Sequence, residues 1–317
     1  MLLDQQQAQA DHALLQLGRR LRADGYRFTC PTPATQARVN ARPELRQAHD
    51  LRGVFGWSRP FSPALLSADE LRQLTAAGVL KEQGGLLRST VRWSSLDDLL
   101  LVHSAWPTDR SDAVFFGPDS YRFAQVIGDH LQQRATPLQH AVDIGCGSGI
   151  GALLIARAAP HAQVSALDIN PMALRYTAIN AALAGIATVS VEPSDLLAGI
   201  TGSFDLIVAN PPYMLDAGKR TYRHGGGALG AELSLRIVEQ ACQRLARGGT
   251  LLLYSGVAMV EGRDALREAV QQRLHGSAFS WAYREVDPDV FGEQLLEPGY
   301  EQVERIAAVA LTLTRNG

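Results

Sequence analysis

Lysine is nearly absent from this chain. Of 30 basic residues among 317, only Lys81 and Lys219 are lysines; the rest are arginines. Such a skew follows genome composition, so arginine abundance alone says little about phosphate binding. Cysteine is scarce as well. Cys30, Cys146 and Cys242 are odd in number, far apart, and form no Cys-x-x-Cys pair. That excludes a disulfide framework and supplies no zinc-ligand spacing, so no metal site is expected. No uninterrupted apolar run approaches the roughly 20 residues that a membrane span needs. The opening Met-Leu-Leu-Asp-Gln-Gln-Gln lacks the apolar core and small-residue cleavage site of a signal peptide. A protein without membrane contact, in a reducing cytoplasm, is the expectation. A strong charge of one sign is missing too: the net charge is -2, which fits neither a polycation nor an acidic tail.

What is present changes character near residue 110. Before it, Leu14, Leu15, Leu17 and Leu21 share one face of a first helix. Residues 29–62, rich in Pro and Arg, read as loops with short helices. Ser67-Ala-Asp-Glu70 has the spacing of a capping box, and predicts a helix carrying Leu71 and Leu74 that stops at Gly78. A turn at Gly84-Gly85 then separates Val79-Leu80 from the run Leu86 to Val91. This describes either a small winged-helix-like unit or a plain helical cap. Two domains are expected, 1–110 for recognition of a substrate or partner and 111–317 for catalysis.

After residue 110 strands and helices alternate. Strands are predicted at 140–144, 163–168, 187–191, 204–209 and 250–255, with two late strands near 279–286 and 306–313 forming a hairpin-like pair. Helices are predicted at 152–159, from Pro171 to about Ala182, at 229–246 and at 263–274. Such alternation gives a mainly parallel, doubly wound α/β sheet covered on both faces. Ligands of such sheets bind beyond the carboxyl ends of the strands.

Four motifs fall just after strand ends. The first is Val142-Asp-Ile-Gly-Cys-Gly-Ser-Gly149, a Gly-rich turn opening onto a helix N-terminus. Asp143, Ile144, Gly145, Cys146, Gly147 and Gly149 are the candidate cofactor residues there. Gly147-x-Gly149-x-x-Ala152 also reads as a dinucleotide fingerprint. Asp143 would repel a pyrophosphate but suits the positive end of S-adenosylmethionine, and so argues for the sulfonium cofactor over NAD. The second is Asp168, with Ile169 beside it, placed to accept hydrogen bonds from ribose hydroxyls. The third is Ser194-Asp195-Leu196, where Asp195 could hold an adenine amine above Leu196. The fourth is Asn210-Pro-Pro-Tyr213. Pro211 and Pro212 stiffen the turn. Asn210 Oδ1 and the Pro211 carbonyl can then accept both hydrogens of a planar –NH2 and leave its lone pair free. Tyr213 offers a flat face for stacking. Alignment is then the main catalytic demand, with no covalent nucleophile.

From Val114 to Tyr254 these residues resemble the class I S-adenosylmethionine-dependent methyltransferases with an Asn-Pro-Pro-Tyr motif. They are most similar to the HemK-type protein-glutamine N-methyltransferases that modify translation release factors. The stretch from His224 through Leu229-Gly-Ala-Glu-Leu-Ser-Leu to Leu253 extends the likeness. The resemblance implies a seven-stranded Rossmann-like methyltransferase sheet behind an N-terminal substrate-binding domain. It implies cofactor contacts at Asp143, Gly145, Gly147, Asp168 and Asp195, and a target amide held by Asn210 and Tyr213. Three segments depart from the family pattern. Phe115-Phe-Gly-Pro-Asp-Ser-Tyr121 replaces an Arg-Pro-Glu-Thr segment. Gly225 and Leu229 stand where acids are usual, and Val286-Asp-Pro-Asp-Val-Phe-Gly292 matches nothing expected. Tyr121, Phe115, Phe116 and His224 are further candidates for the acceptor pocket, with plain core packing the alternative for the two phenylalanines.

The favoured acceptor is a macromolecule: a protein glutamine first, a nucleobase amine in RNA or DNA as the alternative, and a small-molecule amine third. A non-catalytic module is disfavoured by the intact Asn210-Pro-Pro-Tyr213. Residues 1–110 carry a net charge of about +3 and the remainder about −5, which marks the N-terminal unit as partner-binding but is too small for strong polyanion affinity.

Overall fold

The computed structural model describes residues 2–215, 223, 225, 226 and 228–317. Its C-terminal half follows from alternating apolar runs. Strands β5 (His140–Ile144), β6 (Gln163–Asp168), β7 (Val189–Pro193), β8 (Phe204–Ala209) and β9 (Leu245–Val260) run parallel where they pair, and β11 (Phe279–Asp287) and β12 (Arg305–Arg315) close the edge. The order is β11-β12-β9-β8-β5-β6-β7, with β12 antiparallel to both neighbours and the two-residue β10 (Arg263–Asp264) on β9. This is the expected seven-stranded sheet, with the late pair as its antiparallel edge. Helices α5 (Pro118–Gln133), α6 (Ile150–Ala158), α7 (Pro171–Ala184), α8 (Glu232–Arg244) and α9 (Ala265–Leu274) cover its faces.

Several boundaries differ from expectation: the fifth strand is far longer than 250–255, running from Leu245 to Val260, and two others have a local cause. The third strand lies two residues later than predicted, because Gly185 caps α7 in the left-handed region at φ 71°. The helix expected from Leu229 starts at Glu232, since Leu229 itself is left-handed at φ 55° in a 3-10 turn.

The N-terminal half holds α1 (Leu2–Ala23), α2 (Pro33–Asn40), α3 (Leu51–Phe55) and α4 (Ala68–Ala76), then the hairpins β1–β2 (Leu80–Gln83, Leu86–Ser89) and β3–β4 (Val91–Leu96, Leu99–Ser104). The Ser67–Glu70 capping box opens α4 as read. Helix α4 followed by the Gly84-Gly85 hairpin has the winged element, and Phe61 bridges to Leu87 beside it. The second hairpin was not anticipated; its turn at Asp97-Asp98, with Asp97 at φ 52°, was the available signal.

The two halves share one core. Leu14, Leu17, Leu21, Trp93 and Val102 pack with Ala173, Tyr176, Ile179 and Leu183 of α7. Asn180 of α7 is fully buried: its Oδ1 accepts from Val102 N at 2.8 Å, and its Nδ2 donates to Val102 O and to Ser148 O at 2.9 Å. The edge of β4 is thus tied to α7 and to the Gly-rich turn. Gly18 marks how close α1 sits, for a Cβ there would lie 2.6 Å from Trp93 and 2.8 Å from Leu183. Gly18→Ala is expected to cost about 1–3 kcal/mol through overpacking. Gly128→Ala, in α5 with open space around it, is expected to gain about 0.5–1 kcal/mol. Urea midpoints of both variants check this; a neutral Gly18→Ala would mean α1 is not held against α7.

Candidate active site

One cleft of about 890 Å³ opens beyond the carboxyl ends of β5, β6 and β8. Its floor is the bend between β5 and α6. Gly149, the N-cap of α6, is left-handed at φ 84°, and a Cβ there would meet Thr177 of α7 at 2.8 Å. Only glycine lets the chain turn so close to α7. Ile144, Gly145, Cys146 and Gly147 line the cleft as expected. Gly149 does not; its contribution is the turn itself.

Asp143 is also displaced from its expected place. It is 1% exposed, is absent from the cleft wall, and accepts a hydrogen bond from Ala152 N at 2.9 Å. Burial pushes its carboxyl up to about 7, the backbone donors of α6 pull it down, and the nearby Asp168 adds to the rise. Asp143 therefore braces the first turn of α6 from beneath. It does not present a bare carboxylate to a ligand.

Asp168 does face the cleft. Its Oδ2 accepts from Gly147 N at 3.0 Å and its Oδ1 from Asn170 N at 2.9 Å, which leaves further lone pairs for hydroxyl donors. Burial raises its pKa, against those backbone bonds. Ile169 stands beside it at 61% exposed, an apolar side chain with uncovered surface on the cleft wall. Leu196 is buried, and Asp195 lines the cleft while pairing with Arg236 at 3.3 Å. That pair is exposed on both sides, so it adds little energy and leaves Asp195 free to turn.

Asn210, Pro211, Pro212 and Tyr213 line the same cleft. Arg223 and Gly225 lie against their backbone: Met214 N donates to Arg223 O at 3.0 Å and Gly225 N to Met214 O at 2.9 Å. A Cβ on Gly230 would lie 2.2 Å from Tyr213 O, which explains why glycine stands there. His224 lies outside the described residues. Tyr213 is less available than expected. It is half-buried, its ring lies over Gly256 with Phe291 edge-on at 6.1 Å, and its hydroxyl donates to Asp119 Oδ2 at 2.9 Å.

Asp119 is the site residue that the sequence did not reveal. It is 3% exposed and sits in the first turn of α5, where an acid reads as an ordinary helix-start residue. It also accepts from Tyr254 at 2.6 Å and from Arg122 at 3.2 Å, and Arg122 reaches on to Asp287 at 2.5 Å. Burial raises the Asp119 carboxyl, while the two phenols and Arg122 pull it back. Burial also lifts Tyr213 well above its ordinary value, with Asp119 adding to it, so the phenol keeps its proton. Of the other aromatic candidates, Phe115 lines the cleft. Phe116 is buried and stacks on His103 at 5.0 Å, and Tyr121 accepts from Cys30 N at 3.0 Å. Both of the latter serve packing.

Two of the three departures from the family pattern reach this cleft: Phe115, Pro118, Asp119 and Ser120 of the first and Asp289 to Gly292 of the third line its wall, while Gly225 and Leu229 of the second do not. Among the described residues the wall carries five carboxylates, Asp119, Asp168, Asp195, Asp289 and Glu293, against three guanidiniums.

Comparison with known proteins matches residues 122–273 to the family model described as methyltransferase small domain. These residues are similar to that domain, over just under half of the chain. The release factor glutamine methyltransferase of Deinococcus radiodurans is 37% identical over 163 residues, 48% of this chain and 55% of that protein. The ribosomal protein uL3 glutamine methyltransferase of Neisseria gonorrhoeae is 31% identical over 53% of this chain and 60% of its own length. The chain thus spans little more than half the length of these curated relatives. Among solved structures, Trm5b from Pyrococcus abyssi superposes with a TM-score of 0.50 at 18% identity, covering 75% of this chain and 62% of that one. That likeness concerns the fold alone. No helix among the described residues is long and apolar enough to cross a membrane.

Two outcomes test this site. Asp119→Asn replaces an acceptor of three hydrogen bonds with a group that must also donate. It is expected to lower turnover about 10- to 100-fold, the worth of one or two charge-assisted bonds, with cofactor affinity within about twofold; calorimetry beside a methyl-transfer assay separates the two, and unchanged turnover removes Asp119 from the site. Asp143 binds its proton more tightly folded than unfolded, so its contribution is full below about pH 4 and lost as pH rises toward 7. Wild type should therefore lose stability relative to Asp143→Asn between pH 4 and 7. Equal urea midpoints of the pair at both ends would place the raised carboxyl elsewhere.

Proposed function

We propose that this protein is an S-adenosylmethionine-dependent N-methyltransferase acting on a planar amide nitrogen, with a protein glutamine side chain as the favoured acceptor. The observation that carries this reading is that the Asn210–Tyr213 corner and the Gly-rich bend face one cleft, on adjacent strands β8 and β5. The donor set fits the cofactor. Five carboxylates against three guanidiniums suit a cationic sulfonium and would oppose a pyrophosphate. Asp168 has acceptor capacity left for two ribose hydroxyls, and Ile169 and Leu196 offer apolar surface for a base. When bound, this cofactor supplies an electrophilic methyl group on sulfur.

The work of the chain is then positioning. Asn210 Oδ1 and the Pro211 carbonyl accept the two hydrogens of the target amide, so its nitrogen lone pair is turned into the cleft. The two prolines hold these acceptors still, which saves orientation entropy at the moment of reaction. Tyr213, fixed by Asp119, supplies the wall against which the planar group rests. The acceptor end is further shaped by Phe115, Phe291 and Arg223. Residues 1–110 serve as the recognition unit for the acceptor, and α2 brings Thr32, Ala34 and Arg38 to the cleft mouth. The glutamine preference draws on the two glutamine methyltransferases among the relatives. The match to ribosomal RNA small subunit methyltransferase C of a Shewanella species is 43% identical but covers only 23% of this chain.

Asn210→Ala is expected to bind S-adenosylmethionine normally and to lose most turnover, whereas Asp168→Ala should weaken cofactor binding at least tenfold, the loss of about one charge-assisted hydrogen bond. Label transfer from methyl-labelled cofactor in extract, followed by nuclease or protease treatment, identifies the acceptor class. Label released by nuclease rather than protease would overturn the glutamine assignment, and full turnover in Asn210→Ala would overturn the role of the corner.

A further inference from the structure

A second cavity, of about 340 Å³, lies on the N-terminal unit, walled by Ala37, Asn40 and Ala41 of the α2 region with Arg46, Arg59, Arg88 and Trp106. No carboxylate lines it. Its chemistry is unusual at Arg59, which is 8% exposed and lies 5.2 Å over the Trp57 ring. Among the described residues Arg59 makes one side-chain hydrogen bond, from Nε to Asn40 Oδ1 at 2.9 Å, and no ion pair. The nearest acid to act on it is Asp50, exposed and already engaged in capping α3 at Gly53 N. A guanidinium taken out of water without an anion is costly. Under α2 a second one, Arg92, is 4% exposed and bonded only to neutral groups: Gly56 O, Gln36 Oε1 and Cys30 Sγ. Arg88 reaches Ser58 O at 3.1 Å, and Arg46 is exposed with no ion pair among the described residues. Positive charge is therefore concentrated, and partly buried, around one pocket in a chain whose net charge is negative.

We propose that this pocket seats a phosphate of a single-stranded RNA segment, with the flat face of Trp106 against the adjoining base or sugar. Guanidinium forks match phosphate oxygens in pairs. Three cationic side chains exceed what one carboxylate needs, and a Trp beside them is the usual partner of an unstacked base. The pocket shares α2 with the catalytic cleft. Ala34 and Arg38 line the cleft, while Ala37 and Ala41 on the next row line the pocket. A strand held there passes the cleft mouth within about one helical turn, roughly 5 Å along α2. The proposal concerns an anchoring site and stands apart from which nitrogen is methylated, because binding is read without turnover.

The test uses the full chain and two probes, a fluorescein-labelled 12-nucleotide oligouridylate and a fluorescein-labelled 12-residue polyglutamate, followed by anisotropy from 50 to 200 mM salt. The oligonucleotide is expected to bind, with affinity falling as salt rises. Arg46→Ala should bind it roughly tenfold more weakly and lower the log–log salt slope by about 0.7, the share of one phosphate contact on a single strand. Trp106→Leu should weaken binding with the slope unchanged. Arg46 is exposed, so its replacement leaves the fold intact, and circular dichroism verifies that. The proposal falls if neither probe binds, if polyglutamate binds as well as the oligonucleotide, or if Arg46→Ala leaves both affinity and slope unchanged.

Discussion

Everything in the cleft depends on how two buried carboxylates are held beneath one backbone bend. Asp143 and Asp168 sit at the ends of adjacent parallel strands, and burial favours the neutral form of each. Main-chain N–H groups counter this, from Ala152 for the first and from Gly147 and Asn170 for the second. The bend is thereby fixed at Gly147 on one side and at the first turn of α6 on the other. The two acids divide the labour. Asp143 fixes the start of α6, and Asp168 keeps lone pairs for a ligand. Sequence position alone had made both of them direct cofactor contacts.

The acceptor side is built by a different device. A long-range polar cluster, Asp119 with Tyr213, Tyr254 and Arg122, joins the start of α5 to the corner after β8 and to β9. Such clusters are stabilising only when each member is satisfied. The carboxylate has three donors and both phenols have one acceptor, so the corner is held at a defined distance from the sheet. Arg223, Gly225 and Gly230 clamp it from the other side. The stiffness attributed to two prolines is thus shared with contacts that lie far away in sequence.

The sheet was legible because its strands are short apolar runs ending in turn residues, and a buried parallel sheet leaves that trace in any window of the chain. The motifs were legible because they follow strand ends, where the topology puts ligands. What escaped was whatever depends on partners distant in sequence. Asp119 looks like a helix-start acid until Tyr213 and Tyr254 are seen to reach it. Asp143 looks like a ligand contact until Ala152 N is seen to occupy it. The β3–β4 hairpin escaped because its buried faces are covered by α1 and α7, so its pattern lacks clean alternation. The start of α8 was placed three residues early because Leu229 is apolar and in phase, while its left-handed backbone accompanies the packing of Gly230 on Tyr213.

Asn180 joins matters that would otherwise be separate. One side-chain amide grips the edge of β4 and the carbonyl of Ser148 in the bend at the same time. Replacing that one asparagine would therefore unfasten two distant parts of the fold at once, the edge of the hairpin and the carbonyl of the bend.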